Sequence, residues 1–300
     1  MNRWQRWVQA PQTLGLRKLL FQVHLWLGIG FGLYVLAIAL SGSAILLKSP
    51  AYVLFEPRWA QAPDGAIALE GEALEARMAE VYAGYELGFM SPPYEPGRAV
   101  YIVLNKDGEY FPHYFNQFTG EDNGAANPWP VRSIEWLASM HADLFLGPLG
   151  RRVNGAGGAL FVLMSVSGIV LWWQGRARWY EGLLLWSRSK RSLLWQLHSF
   201  IGFWTLLLMI AWGVSGFQIG FPRALDPLID WFDADLADAE RPTGLLRFFR
   251  NVHFARYGEG AMWAQWTWIL VSFAPTLMFI SGLIVWWKRV VRRKLQKAGA

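Results

Sequence analysis

Five histidines, His24, His113, His141, His198 and His253, are the residues of this 300-residue chain best suited to chemistry in an apolar setting. Cysteine is absent. Its absence removes disulfides, thiolate metal sites, cysteine-held iron–sulfur clusters and haem attached through a C-x-x-C-H motif. Metal chemistry must then rest on His, Met or carboxylates. Two of the histidines sit in nearly the same words, RKLLFQVHLWLG at 17 to 28 and RSLLWQLHSFIG at 191 to 202. Each places an imidazole about one turn inside a long apolar stretch, where an ionisable ring is costly and tends to be functional.

The elements that must position these rings are membrane helices. The chain is 54% hydrophobic, 16% aromatic and only 17% charged, too apolar for an ordinary soluble domain. Four stretches, 19 to 47, 156 to 173, 193 to 221 and 262 to 287, are long enough to cross a hydrocarbon core, which takes about 20 helical residues. Basic residues orient them. Pieces 1 to 18, 174 to 192 and 288 to 300 hold 15 Lys and Arg against Glu181 alone, while the remainder holds 13 against 21 acids. The positive-inside rule therefore expects both termini in the cytoplasm. The pI near 9.6 follows from this topology and does not point to nucleic acid. The first stretch has a basic prefix like a signal peptide, but its apolar run is too long and no small-residue cleavage site follows, so it is read as an uncleaved helix.

A repeat runs through the chain. His24 precedes Ser41-Gly42 by 17 residues, and His198 precedes Ser215-Gly216 by the same 17. His141 lies 26 residues before Ser167-Gly168 and His253 lies 28 before Ser281-Gly282; both of these pairs lead into a Trp-Trp, at 172–173 and 286–287. The expected fold is an all-α membrane protein in which four transmembrane helices form a tandemly duplicated two-helix hairpin, with a small α+β module between helices 1 and 2. In order, 1–47 holds the N-terminus and helix 1, 48–155 the module and an outer segment, 156–173 helix 2, 174–192 a cytoplasmic loop, 193–221 helix 3, 222–261 an outer loop with the acidic run DWFDADLADAE, and 262–300 helix 4 and a basic tail. Inside the module, helical spacing over 70 to 82 is followed by a strand pair, 98 to 104 and 109 to 118, around the turn NKDG.

A parallel duplication relates its halves by an axis along the membrane normal, so equivalent residues face each other at one depth. His24 would face His198 on the inner side, and His141 would face His253 on the outer side. Two imidazoles so placed suit a six-coordinate b-type haem at each level. Gly28 and Gly202 lie four residues after the inner histidines on the same helical face and would clear space for a porphyrin. Gly42 and Gly216, five turns on, would clear space for a second, about 27 Å further along the axis. Arg151, Arg152, Arg250 and Arg256 lie near the outer histidines, where they could pair with propionates or, more plainly, with headgroups or the acidic loop. The plain reading of each single histidine is an interfacial or hydrogen-bonded residue, of Gly28 to Gly32 a helix-packing stripe, and of the Trp pairs an interfacial belt. His113 has no repeat partner and reads as an ordinary hairpin histidine. GIGFG lies inside a membrane helix and is not a nucleotide loop; no Walker, zincin or triad pattern occurs.

The segments HLWLGIGFGLYVLAIALSGSAIL, MHADLFLGPLGRRVNGAGGALFVLMSVSGIVLWW and LHSFIGFWTLLLMIAWGVSG resemble the PepSY-associated transmembrane family of Gram-negative inner membranes. Residues 98 to 124, ending YFNQFTGEDNG, are similar to the strand pair and closing turn of a PepSY domain. By position, His24, His198 and His141 match family histidines; His253, in RNVHFARYGEG, is the least typical match. Some members of this family are ferric-siderophore reductases. The resemblance therefore implies a dihaem carrier in the bacterial inner membrane, with the inner pair His24/His198 and the outer pair His141/His253 as axial ligands, reducing a periplasmic ferric siderophore. Ferrous iron is the more weakly held ion on hard oxygen ligands. The cytoplasmic pieces are too short for a flavin or nicotinamide domain, so electrons would come from a partner reductase or from quinol. Two alternatives stay open: a haem oxidoreductase with another acceptor, such as dioxygen, a copper complex or a redox protein, and a cofactor-free binding module in which the histidines cap helices.

Overall fold

The computed structural model describes residues 2–93, 95–174, 179–185, 192–225, 227, 244–256, 262–292 and 295–296, with backbone alone at 245, 246, 262, 264 and 265. In chain order the helices are α1 (Arg3–Gln9), α2 (Gly15–Gly30), α3 (Gly32–Ile45), α4 (Lys48–Phe55), α5 (Gly71–Val81), α6 (Trp129–Asp143), α7 (Gly147–Trp172), α8 (Leu193–Trp204), α9 (Leu206–Gly220), α10 (Gly244–Phe254), α11 (Met262–Ser272) and α12 (Ala274–Trp286). Strands β1 (Glu86–Ser91), β2 (Val100–Lys106), β3 (Glu109–Asn116) and β4 (Glu121–Ala125) fall between α5 and α6. The chain divides into two compact units, residues 1–46 with 137–300, and residues 47–136.

The first unit is built for a bilayer. Two helices, Gly147–Trp172 and Trp266–Val291, are each long and apolar enough to cross, and the bent pairs α2–α3 and α8–α9 bring the number to as many as four if each pair is one span. Large apolar side chains face outward from all of them; Leu33, Leu207 and Leu270 are 67%, 81% and 73% exposed, the reverse of a soluble protein's surface.

Two of the expected stretches, the first and the third, are bent in the middle. α2 and α3 meet at 59° and α8 and α9 at 62°. Phe31, between Gly30 and Gly32, ends α2, and the Phe279 ring packs where a Cβ on Gly32 would stand. At the second break Thr205 turns its hydroxyl back onto Ile201 O at 2.7 Å, a contact that bends helices. Phe273 separates α11 from α12, whose first turn carries Pro275. The second stretch, expected over 156 to 173, starts at Gly147 because Gly147 takes a left-handed φ of 57° and Pro148 fits a helix's first turn.

Glycines bring α7 and α9 into backbone contact. A Cβ on Gly155 would lie 2.9 Å from the Gly220 Cα, and one on Gly158 2.6 Å from Gly213 O. This GAGG segment is a small-residue packing stripe, and within Gly28 to Gly32 it is Gly32 that receives a neighbouring helix, through Phe279. Arg17, buried, donates to Val170 O, Leu171 O and Trp173 O at 2.6 to 2.8 Å and so caps the C-terminal end of α7, where a cation also meets the negative end of the helix dipole.

The second unit is an antiparallel sheet in the order β1-β2-β3-β4 with α5 on one face. The period-two pattern puts Val100, Ile102, Leu104 and Phe115 beneath Leu74, Met78 and Tyr82. Asp107 and Gly108, both left-handed, close the β2–β3 hairpin, with Gly108 N–H donating to Asn105 Oδ1. β2 and β3 match the expected strand pair to within two residues, and β1 and β4 extend it on either side. His113 faces Asp122 on β4, where one carboxylate oxygen accepts from His113 Nδ1 at 3.0 Å, Tyr82 OH at 2.7 Å and Gly124 N–H at 3.0 Å. Burial pushes the Asp122 carboxyl up, but the bonds from His113, Tyr82 and Gly124 outweigh it and hold it below its usual range. Burial first and the Asp122 bond second raise the Tyr82 phenol. Asp122 thus ties Tyr82, at the end of α5, and His113, on β3, to β4.

Candidate functional site

The four repeat-related histidines meet in two pairs within the first unit. His24 on α2 and His198 on α8 have ring centres 6.4 Å apart; His141 on α6 and His253 on α10 have ring centres 6.2 Å apart. A metal–imidazole bond of about 2 Å plus about 1.1 Å from ring nitrogen to ring centre, taken twice, gives about 6.2 Å between two rings on opposite sides of one ion. Both pairs lie at that separation.

Each ring is seated by a Ser-Gly pair on a different helix. His24 Nδ1 lies 3.1 Å from Met164 O and 3.0 Å from Ser167 Oγ, and His198 Nδ1 lies 3.0 Å from Met278 O and 3.1 Å from Ser281 Oγ. His141 Nδ1 lies 2.9 Å from Ile38 O and 3.3 Å from Ser41 Oγ; His253 Nδ1 lies 2.8 Å from Ser215 Oγ. Backbone carbonyls only accept, so Nδ1 carries the proton at His24, His198 and His141, and Nε2 is left with its lone pair. Among the described residues no Nε2 makes a hydrogen bond. This is the arrangement of metal-binding imidazoles, in which the far ring nitrogen is anchored and the near one is basic.

The seats are reciprocal. Ser41-Gly42 on α3 holds His141 and Ser167-Gly168 on α7 holds His24; Ser215 on α9 holds His253 and Ser281-Gly282 on α12 holds His198. All four serines are 1% to 2% exposed. The glycines let the rings close in: a Cβ would stand 2.9 Å from His141 Cε1 at Gly42, 3.3 Å from His24 Cε1 at Gly168 and 3.2 Å from His198 Cε1 at Gly282. The sequence displays these Ser-Gly pairs as repeat markers, and the equality of four such pairs to four histidines was the available signal of their role.

A cavity of about 740 Å³ opens beside His24 and His198, with a mainly apolar wall and Arg17, Lys18 and Arg289 among its lining residues. Gly28 and Gly202 both line it. At Gly28 nothing stands within 4 Å of a Cβ position, whereas at Gly202 the Met278 methyl fills that place at 2.7 Å. Gly42 does not clear space on its own helix face but receives His141, while Gly216 meets nothing within 4 Å. Trp172 stacks on Phe203 at 4.6 Å and Trp173 Nε1 donates to Trp7 O, and both rings are half-buried.

Near the second pair, Arg151, Arg152, Arg250 and Arg256 are all exposed. Among the described residues they make no ion pair; Arg256 lies over the Phe254 ring at 5.2 Å. The acidic run at 230 to 240 lies outside the described residues. A residue not singled out from sequence supports this pair: Asn154 donates to His141 O at 2.6 Å and accepts from Tyr34 OH at 2.7 Å, and Gly157 admits the tyrosine. Among the described residues no three His, Asp or Glu side chains gather around a point, and each pair offers an ion two imidazoles.

Fold and site together define a helical membrane protein with paired, anchored histidines in its membrane unit and a small α+β unit inserted after the third helix. Its family is also clear: the PepSY-associated TM region matches residues 21–244 and 233–289, and the chain belongs to that family. No curated protein matches the chain.

Proposed function

We propose that the chain is a dihaem b-type electron carrier of the bacterial inner membrane that reduces a ferric siderophore, or a similar ferric chelate, in the periplasm. The observation that carries this reading is the twin geometry: ring centres at 6.4 and 6.2 Å, with every Nδ1 bound away from its partner ring. His24 with His198 and His141 with His253 are the residues that would hold such a group, and haem fits a pair of anchored imidazoles. Haem bound there would supply reversible one-electron exchange.

The protein's own groups supply position, orientation and charge. Carbonyls and serines fix the tautomers, Gly42, Gly168 and Gly282 admit the rings, and the apolar cavity keeps water from His24 and His198. Arg17, Lys18 and Arg289 give the cavity cations that suit carboxylate groups. Each bent helix pair is one span, so that two hairpins related by duplication carry one ligand of each pair near either surface; the basic loops set both termini in the cytoplasm. One electron from a partner reductase or quinol converts one ferric ion to ferrous, which the chelate holds less well. The acceptor rests on family likeness and the unit 47–136 faces it in the periplasm.

An absorption spectrum of the detergent-purified protein, oxidised and then dithionite-reduced, with a pyridine haemochrome count, tests the reading. Two low-spin b haems per chain are expected. A protein colourless even after haem reconstitution would sink it and put the binding-module reading first. The reduced protein, offered iron chelates and other oxidants in parallel, tests the acceptor: chelates that react no faster than the rest remove the siderophore assignment.

A further inference from the structure

We propose that Ser215 is the positioning residue on which the outer pair depends, because among the described residues its hydroxyl is the one acceptor for His253 Nδ1 and so holds that ring in the tautomer able to bind iron. The inference rests on the histidine pairs being haem ligands. All four seating serines use their single proton on their own helix. Ser167 donates to Met164 O at 2.8 Å, Ser281 to Met278 O at 3.1 Å, Ser41 to Ala37 O and Ile38 O at 2.8 and 3.0 Å, and Ser215 to Ala211 O and Trp212 O at 2.7 and 3.0 Å. With that proton spent, each Oγ can only accept from the imidazole.

Three of the rings have a second acceptor: Met164 O for His24, Met278 O for His198 and Ile38 O for His141. His253 has Ser215 Oγ alone among the described residues. Removing a serine hydroxyl therefore leaves His24, His198 and His141 with a carbonyl that still fixes Nδ1–H. At His253 it strands a buried donor and frees the ring to carry its proton on Nε2, where no metal can bind. Because Ser215 is 1% exposed, solvent has no ready access to replace the lost acceptor.

The test is a set of four variants, Ser41→Ala, Ser167→Ala, Ser215→Ala and Ser281→Ala, with Ser215→Thr restoring the hydroxyl. Haem per chain, the low-spin absorption signature and the two midpoint potentials are read on each, with size-exclusion elution as the check on folding. Ser215→Ala is expected to lower haem affinity at the outer pair on the order of 10- to 100-fold, the range for loss of a ligand's hydrogen-bond partner. That variant should keep its inner haem, Ser215→Thr should recover both, and the other three alanines should keep two low-spin haems. Ser215→Ala with two low-spin haems and unchanged potentials, or an equal loss in Ser41→Ala, overturns the role of Ser215 while leaving the ligand pairs in place. Wild-type protein without two such haems overturns the reading beneath it.

Discussion

The His24/His198 pair and the His141/His253 pair, proposed as inner and outer, share side chain, serine seat and ring separation, but they are supported in different ways. His24 and His198 ride inside α2 and α8, so helix register carries both rings to Ser167 and Ser281, and each ring also reaches a carbonyl. His141 and His253 stand in the last turns of α6 and α10, and the turns that follow set their place. After α6, Leu144, Phe145 and Gly147 take left-handed φ, and Gly150 packs against Asp143 O. After α10 only Ala255 does so within the described residues. Non-glycine residues at such angles cost of order 1 kcal/mol or more each, so the α6–α7 turn stores strain to hold His141 where α10 holds His253 with less. A site within a helix inherits two anchors from regular geometry, whereas one at a helix end must build them.

The largest effect is expected where the two pairs share a foundation. α7 carries Ser167 and α9 carries Ser215, and the two cross in backbone contact at Gly158 and Gly213. Gly158→Leu forces a side chain against Gly213 O and Phe217 N and cannot be met by rotating a neighbour. Overpacking of this kind costs about 1–3 kcal/mol or more. On the proposed dihaem reading both haems should be lost, and the elution should broaden. Retention of one would show that a pair can stand without the crossing.

Single ligand losses rank next. His198→Ala and His141→Ala should each remove about half the haem, since an axial pair is broken at one level only. Pyridine haemochrome counts with spectra of the remainder would assign each absorption band to its pair. Loss of both haems from either variant would mean that the levels fold as one, and the contrast drawn between them would fail.

The pairs themselves were legible in the sequence because a repeat brings four histidines into register. The Ser-Gly contacts were not, since each joins a histidine to a different helix and periodicity says nothing of which helices touch. The helix breaks at Phe31 and Thr205 hide for a related reason: neither is a proline, and the agents are a ring from a distant helix and a hydroxyl turned on its own backbone. Pro275 was a visible signal that the fourth stretch is interrupted. In the small unit, β2 and β3 alternate cleanly. β1 is interrupted by a register shift between Leu87 and Phe89 around Gly88, and β4 reads EDNGA, turn residues whose strand state comes from pairing with β3.

The smallest effects should come from alanine at the four seat glycines, and their order separates the pairs most finely. At Gly42 the new methyl would stand 2.9 Å from His141 Cε1, and that ring cannot retreat without lengthening its 2.9 Å contact to Ile38 O. Gly42→Ala should therefore weaken the outer site, on the order of 1 kcal/mol. Gly282→Ala and Gly168→Ala meet their rings at 3.2 and 3.3 Å, a distance that a shift of a few tenths of an ångström relieves, so the inner potential should move less. Gly216→Ala meets nothing within 4 Å and should be silent. Redox titration of the four variants reads the series directly. A silent Gly42→Ala beside a disruptive Gly216→Ala would mean that His253, not His141, is the closely seated ring of the outer pair, and would reverse the assignment of which outer ligand the backbone holds.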